Sequence, residues 1–228
     1  MLVPASSVVP VDDGLADIDA QTLAVASRFV IPYGGLVRSR LAPGETLIVN
    51  GATGAYGSAA VLVAVAMGAG RVVAAARNSD KLNALAGLAG KAVVPVTLTG
   101  DVAADAKALR EAAGGGAEIA FDMVGGATDS HSTLAALNAL VRRGRLVLMG
   151  SMSVDLPIPY LQLMLNSLEI IGNFMHRPDA YRQILALVRV GRLDLKAITA
   201  RVYPLADLFA ALNAAETAGS LEAIVMTP

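Results

Sequence analysis

The sequence predicts an α/β protein built on a doubly wound, six-stranded parallel sheet, and three observations lead there. Short apolar runs alternate with helix-length, alanine-rich segments over residues 46–172, the alternation that a parallel sheet with crossover helices requires. The runs are apolar almost without interruption, as strands covered on both faces are. Six such runs with five crossovers make up two mononucleotide-binding halves.

In chain order the strands are TLIV (46–49), RVVAAA (71–76), KAVVPV (91–96), AEIAFDM (117–123), GRLVLMG (144–150) and LEIIG (168–172). Helices are expected near 56–67, 79–89, 101–113, 128–141 and 160–166. Several of them open on Ser, Asp or Thr, whose side chains cap free backbone N–H groups. A helix is expected over 20–40 and another over 178–190. The ends differ from this middle. LVPASSVVPVDDGL is extended and punctuated by proline, and the tail carries KAITARVYPL, a helix over 204–218 and EAIVMT.

Composition removes several classes of function. The 228 residues carry a net charge of −1 and no clustered basic charge, so nucleic acid is not an expected partner. Cysteine is absent and there are two histidines, His131 and His176, which leaves no thiolate nucleophile and no internal His/Cys zinc centre. The longest apolar run, AAVLVAVAMGAG, falls well short of the roughly 20 residues of a membrane span. The N-terminus lacks a signal-peptide pattern, and a cytoplasmic location is expected.

The stretch IVNGATGAYGSA (48–59) places Gly51, Gly54 and Gly57 directly after a strand and directly before an apolar helix. In that context the first glycine permits the tight turn, the second lets a pyrophosphate approach the backbone, and the third lets helix and strand close up. Gly51, Thr53, Gly54, Ala55, Tyr56 and Gly57 are the candidate phosphate-binding residues, at a helix N-terminus that offers unpaired N–H groups. The plainer reading is a tight strand-to-helix turn that holds nothing.

The second strand runs into AAARNSDK. Arg77 lies about 20 residues past Gly57, where the adenosine ribose is expected and where a carboxylate would select NAD. With Arg77, Asn78 and Lys81 there instead, charge matching favours the 2′-phosphate of NADP; otherwise these are solvated surface cations. DMVGG (122–126), LMGSM (148–152) and GNFMHR (172–177) close the fourth, fifth and sixth strands. Their Val124, Gly125, Gly150, Ser151, Asn173 and Phe174 would flank the nicotinamide half, because ligands of open α/β sheets sit beyond the carboxyl ends of the strands. His176 is a conceivable proton donor, although a surface or capping histidine is the commoner case. His131 reads as structural or solvated, and Asp122 as a turn-stabilising carboxylate rather than a base. No tyrosine is followed four residues later by lysine, which argues against a short-chain dehydrogenase, and Arg77 stands where a methyltransferase would want an acid.

The order LAPGETLIVNGATGAYGSAAVLVAVAMGAGRVVAAARNSDKL, FDMVGG, GRLVLMG, EIIGNF resembles the medium-chain dehydrogenase/reductase superfamily, in its zinc-independent, quinone-oxidoreductase-like branch. The resemblance implies a Rossmann fold with remnants of a GroES-like substrate domain at both ends: residues 1–20 as a remnant of that domain, most of which has no counterpart here, 21–190 as the NADP-binding domain, and 191–228 as a return into the substrate domain. It implies NADPH-dependent hydride transfer to or from a carbonyl, quinone or activated alkene, with no metal and no assigned catalytic residue. Zinc-dependent relatives carry a cysteine ligand at about the place of Ser27. SLEAIVM departs from the Gly-Lys that usually precedes the family's last strand. The resemblance also implies a homodimer paired through the sixth-strand edge, with LPIPYLQLML covering the interface. A non-catalytic dinucleotide-binding module or regulatory subunit is the alternative.

Overall fold

The computed structural model describes residues 4, 5, 8–11 and 13–228. Of the opening LVPASSVVPVDDGL, residues 2, 3, 6, 7 and 12 lie outside the described residues; the described remainder forms no strand and includes a 3-10 turn at Asp13–Leu15. The helix expected over 20–40 is two helices, α1 (Ala20–Ala24) and α2 (Ser27–Arg38). Asp19 caps α1, accepting the Thr22 N–H at 2.8 Å. The break has a local cause: the Ser27 hydroxyl donates to the Ala24 carbonyl at 2.8 Å, a side-chain bond that competes with helix continuation. Val25 and Ala26 at the break are buried.

The central sheet follows in βα order: β1 (Thr46–Asn50), α3 (Ala55–Ala66), β2 (Arg71–Ala76), α4 (Ser79–Ala89), β3 (Val93–Thr97), α5 (Val102–Ala112), β4 (Ala117–Asp122), α6 (His131–Asn138), β5 (Leu140–Leu148), α7 (Tyr160–Asn166), β6 (Glu169–Gly172) and α8 (Ala180–Arg189). All six strands are parallel, in the order β3-β2-β1-β4-β5-β6. The strand order reverses between β1 and β4, and a crevice opens at such a reversal.

Alternation along the strands divides the core between the two faces. Val49, Val72, Phe121, Val147 and Ile171 pack with Phe29 and Leu36 of α2 and with α3. Ile48, Val73, Ala120 and Leu146 pack with Leu109 of α5 and Leu137 of α6 on the other face. Helix α3 is buried nearly all round, which accounts for its lack of a polar stripe. Each fully buried valine or leucine contributes about 1.5–3 kcal/mol.

Several boundaries differ from those the sequence suggests. Strand β3 starts two residues late, because Gly90 (φ +89°) ends α4 and Lys91–Ala92 complete the turn. Helix α6 stops at Asn138 rather than 141, and β5 begins at Leu140 rather than 144 and ends at 148 rather than 150. Leu140 pairs with Ala117, and the ladder resumes at Arg145↔Ile119 after an irregularity at Arg143 (φ +65°). A polar stretch, VRRG, thus belongs to the strand. Arg145 then pairs with Glu45 at 2.7 and 2.8 Å, both side chains largely buried.

The tail forms a separate two-stranded parallel sheet of β7 (Thr199–Pro204) and β8 (Glu222–Thr227), joined by α9 (Leu208–Thr217). It is tied to the main body where the Ser58 hydroxyl donates to the Ser220 carbonyl (2.9 Å) and Arg28 to the Glu222 carbonyl (3.2 Å).

Candidate functional site

The carboxyl ends of β1, β2, β4, β5 and β6 bring five short segments together. The first is the glycine loop. Gly51 turns with φ +78°, a conformation that favours glycine, and a Cβ there would meet the Met123 backbone at 3.1 Å. A Cβ on Gly57 would come within 2.0 Å of the Gly51 carbonyl oxygen, so this glycine lets α3 close against the loop. Gly54 is different. It is the exposed N-cap of α3, and its missing side chain would touch only the Gly51 oxygen, at 3.3 Å. That flank is open to a ligand. The first N–H groups of α3, those of Ala55, Tyr56 and Gly57, have no partner one turn earlier in the helix, and the helix dipole adds partial positive charge. The loop can therefore accept a phosphate, and no side chain caps it first. Thr53 is half-buried and Tyr56 exposed beside it, with the Arg28 guanidinium 5.6 Å from the Tyr56 ring centre.

Arg77 follows β2 directly. The N–H groups of Gly51 and Ala52 both donate to the Ala75 carbonyl at 3.0 Å, which fixes the end of β2 beside the loop. The Arg77 side chain is exposed and makes no hydrogen bond or ion pair among the described residues. Asn78 caps α4, its Oδ1 accepting the Lys81 N–H at 2.9 Å, so that oxygen is engaged while the Lys81 side chain lies exposed.

On the far side of the crevice two turns touch. A Cβ on Gly150 would stand 2.0 Å from the Val124 carbonyl oxygen, and the Gly126 N–H donates to the Ser151 carbonyl at 3.4 Å. Gly125 and Ser151 are exposed. Asn173 continues the ladder, its N–H donating to the Leu148 carbonyl at 3.1 Å and its side chain to the Met175 carbonyl at 2.9 Å. Phe174 is 92% exposed.

Gly34 of α2 lies against the backbone of Met175 and His176. Nδ1 of His176 is 2.9 Å from the Arg177 carbonyl. A carbonyl only accepts, so Nδ1 donates this bond and Nε2 is the ring nitrogen left for other partners. His131 is exposed beside Asp129.

Beneath these segments lies a polar cluster centred on Asp122, 1% exposed at the end of β4. Oδ1 accepts from Asn50 Nδ2 at 2.8 Å and Oδ2 from the Thr133 hydroxyl at 3.2 Å; Asn50 Nδ2 also reaches Ser132 Oγ at 3.1 Å. Burial pushes the carboxyl up to about 6, against the lowering effect of the bonds from Asn50, Thr133 and the Val124 N–H. Asn50, Ser132 and Thr133 are not evident as site residues in the sequence. Their one signal there is that the apolar runs TLIVN and AEIAFD each close on a polar residue, and the register pairs Asn50 with Asp122.

Among the described residues no three His, Cys, Asp or Glu side chains gather into a group that could hold a metal ion, and the sequence has no cysteine. A surface cavity of about 320 Å³ between Val9–Pro10 and Arg182, Leu185 and Arg189 of α8 includes no residue of the glycine loop.

Residues 55–189 match a family model described as zinc-binding dehydrogenase. A putative D-xylulose reductase of Agrobacterium fabrum is 27% identical over 89% of this chain and 57% of its own length. The quinone oxidoreductase-like protein 2 of Mus musculus is 30% identical over 68% of this chain and 44% of its own. The chain spans about half the length of these curated relatives. Among solved structures, the quinone oxidoreductase of Thermus thermophilus, determined also in complex with NADPH, aligns with TM-score 0.67 and 30% identity over 93% of this chain and 67% of that one. An alcohol dehydrogenase from Thermus sp. ATN1, at 22% identity and TM-score 0.74 over 92% of this chain and 59% of its own, shares the fold.

Proposed function

Because the chain belongs to the zinc-binding dehydrogenase family, within the medium-chain dehydrogenase/reductase superfamily, we propose that it takes NADPH as the cofactor of a hydride transfer to or from a carbonyl, quinone or activated alkene. The observation that carries this reading is the placement of an exposed, unengaged cation, Arg77, one strand away from a glycine loop whose outer flank is open. The nicotinamide supplies the hydride when bound. The N–H groups of Ala55, Tyr56 and Gly57 donate to the diphosphate past Gly54, and Arg77, with Lys81 and the Asn78 side-chain amide, takes the 2′-phosphate. Val124, Gly125, Gly150, Ser151, Asn173 and Phe174 wall the nicotinamide side. The same reading assigns 21–190 to the dinucleotide and 1–20 and 191–228 to a substrate-binding part, and makes a cytoplasmic enzyme of it. Among the described residues no helix is long and apolar enough to cross a membrane.

The reading includes a homodimer joined edge to edge at β6. Of the two sheet edges, β3 carries Pro95, which blocks pairing with another strand, whereas β6 has no proline. Beside β6, α7 exposes Tyr160 (81%), Leu161 (62%), Met164 (55%) and Leu165 (57%), an apolar face of the kind that marks an interface.

Fluorescence titration with NADPH and NADH tests the cofactor. NADPH binds more tightly, and Arg77→Ala weakens NADPH by about 1.5–3 kcal/mol, the worth of a hydrogen bond to a charged group, with little effect on NADH. Equal or tighter NADH binding removes the specificity, and binding of neither removes the function.

A further inference from the structure

Two carboxylates are buried among the described residues, and they do different work. Asp105 ties its own loop, accepting from the N–H and hydroxyl of Thr99 (2.8 Å each) and the Gly100 N–H (2.9 Å), five and six residues away. Asp122 joins pieces far apart in the chain. Asn50, 72 residues earlier, immediately precedes Gly51 of the glycine loop. Asp122 itself closes β4 and leads into Val124 and Gly125 of the opposite turn, and the Met123 N–H donates to the Asn50 carbonyl at 3.0 Å. Thr133 lies in the first turn of α6 behind both. One side chain on the β4 rim of the crevice thus grips a residue on the β1 rim.

Among the described residues nothing cationic offsets its charge. The partners presented by β1 and by α6 are an amide and a hydroxyl, and no charged group on these elements, on the 124–126 turn or on β5 contributes to its environment. A buried carboxylate without a counter-ion is a costly fastening. What it supplies is two oxygens set apart, one accepting from Asn50 on β1 and the other from Thr133 on α6.

We propose that Asp122 is a positioning residue for the dinucleotide: by holding Asn50 and Thr133 from the end of β4, it sets the gap between the glycine loop and the 124–126 turn across which the bound cofactor extends. The proposal rests on the dinucleotide reading above and adds to it a residue that never touches the ligand. A loosened gap costs a ligand that spans it and spares one that occupies a single rim.

The test compares NADPH with adenosine 2′,5′-bisphosphate, which carries the adenosine, its 2′-phosphate and a single 5′-phosphate but no nicotinamide half, at temperatures where melting curves show every variant folded. Asp122→Ala weakens NADPH by about tenfold, the fold-change of roughly one lost hydrogen bond, and leaves the bisphosphate within about twofold. Asp122→Asn keeps the bond from Asn50 and can donate to the Thr133 hydroxyl, so it recovers most of the NADPH affinity. Thr133→Val removes one bond alone and gives an intermediate, NADPH-selective loss, which decides the matter if the alanine variant does not fold. Equal weakening of both ligands, or unchanged NADPH binding in the variants beside a wild type that binds it, overturns the proposal and leaves the cofactor reading standing. A wild type that binds neither ligand overturns both.

Discussion

Replacing Asp122 by asparagine should stabilise the protein near neutral pH and lose that advantage in acid. The carboxyl titrates at about 6 in the fold against 3.8 for a free side chain. Because the folded value is the higher one, the protonated form is the one the fold favours. The contribution to stability is complete below 3.8 and is lost as pH rises through about 6. The difference of about 2 pH units corresponds to about 3 kcal/mol between the two limits, at 1.36 kcal/mol per unit. Asparagine does not titrate, and its altered hydrogen bonds contribute an offset of about 1 kcal/mol that does not depend on pH. Urea unfolding of both proteins from pH about 4 to about 7.5, with the wild type subtracted from the variant at each pH, cancels every other titrating group. The difference should move in favour of Asp122→Asn by about 2.5 kcal/mol across that range, part of the full effect being already lost at pH about 4. A flat difference, or one running the other way, refutes the reasoning and would mean that the bonds from Asn50 and Thr133 outweigh desolvation and hold the carboxylate charged.

The glycine loop and the sheet edge give two further expectations. Gly57→Ala forces a Cβ to 2.0 Å from the Gly51 oxygen and should destabilise the fold by about 1–3 kcal/mol, the cost of overpacking, read as a lower urea midpoint; Gly54→Ala meets only that oxygen at 3.3 Å, so its stability should stay close to wild type while NADPH binding falls. Sedimentation equilibrium should return twice the 23.2 kDa chain mass for the wild type and a single chain for the Leu161→Glu/Met164→Glu double variant, since two charges on the α7 face oppose its burial; a monomeric wild type at micromolar concentration would falsify pairing at β6.

Period and punctuation alone determined the α/β class, the six strands and their crossovers, because a strand buried on both faces must be apolar throughout and a crossover helix must be long enough to return the chain. The glycine loop was legible for the same local reason: Gly51, Gly54 and Gly57 stand between an apolar strand and an apolar helix, all inside the twelve-residue stretch 48–59. So was the placing of Arg77 at the end of β2.

Tertiary structure decided the rest. VRRG belongs to β5 because Leu140 pairs with Ala117, a partner supplied by another strand and invisible to local pattern. The split between α1 and α2 depends on one side-chain bond from Ser27. EAIVMT pairs in parallel with TARVYP, in a small sheet of its own rather than at the edge of the large one. The distinction among the three glycines, two held by contact and one left open, exists only once the Met123 backbone and the Gly51 carbonyl are in place. Above all, nothing in the spacing of Asn50, Asp122 and Thr133 joins them. Parallel register does so by aligning the ends of β1 and β4, and the carboxylate that closes β4 then draws its character from burial, a property of the assembled fold and of no residue alone.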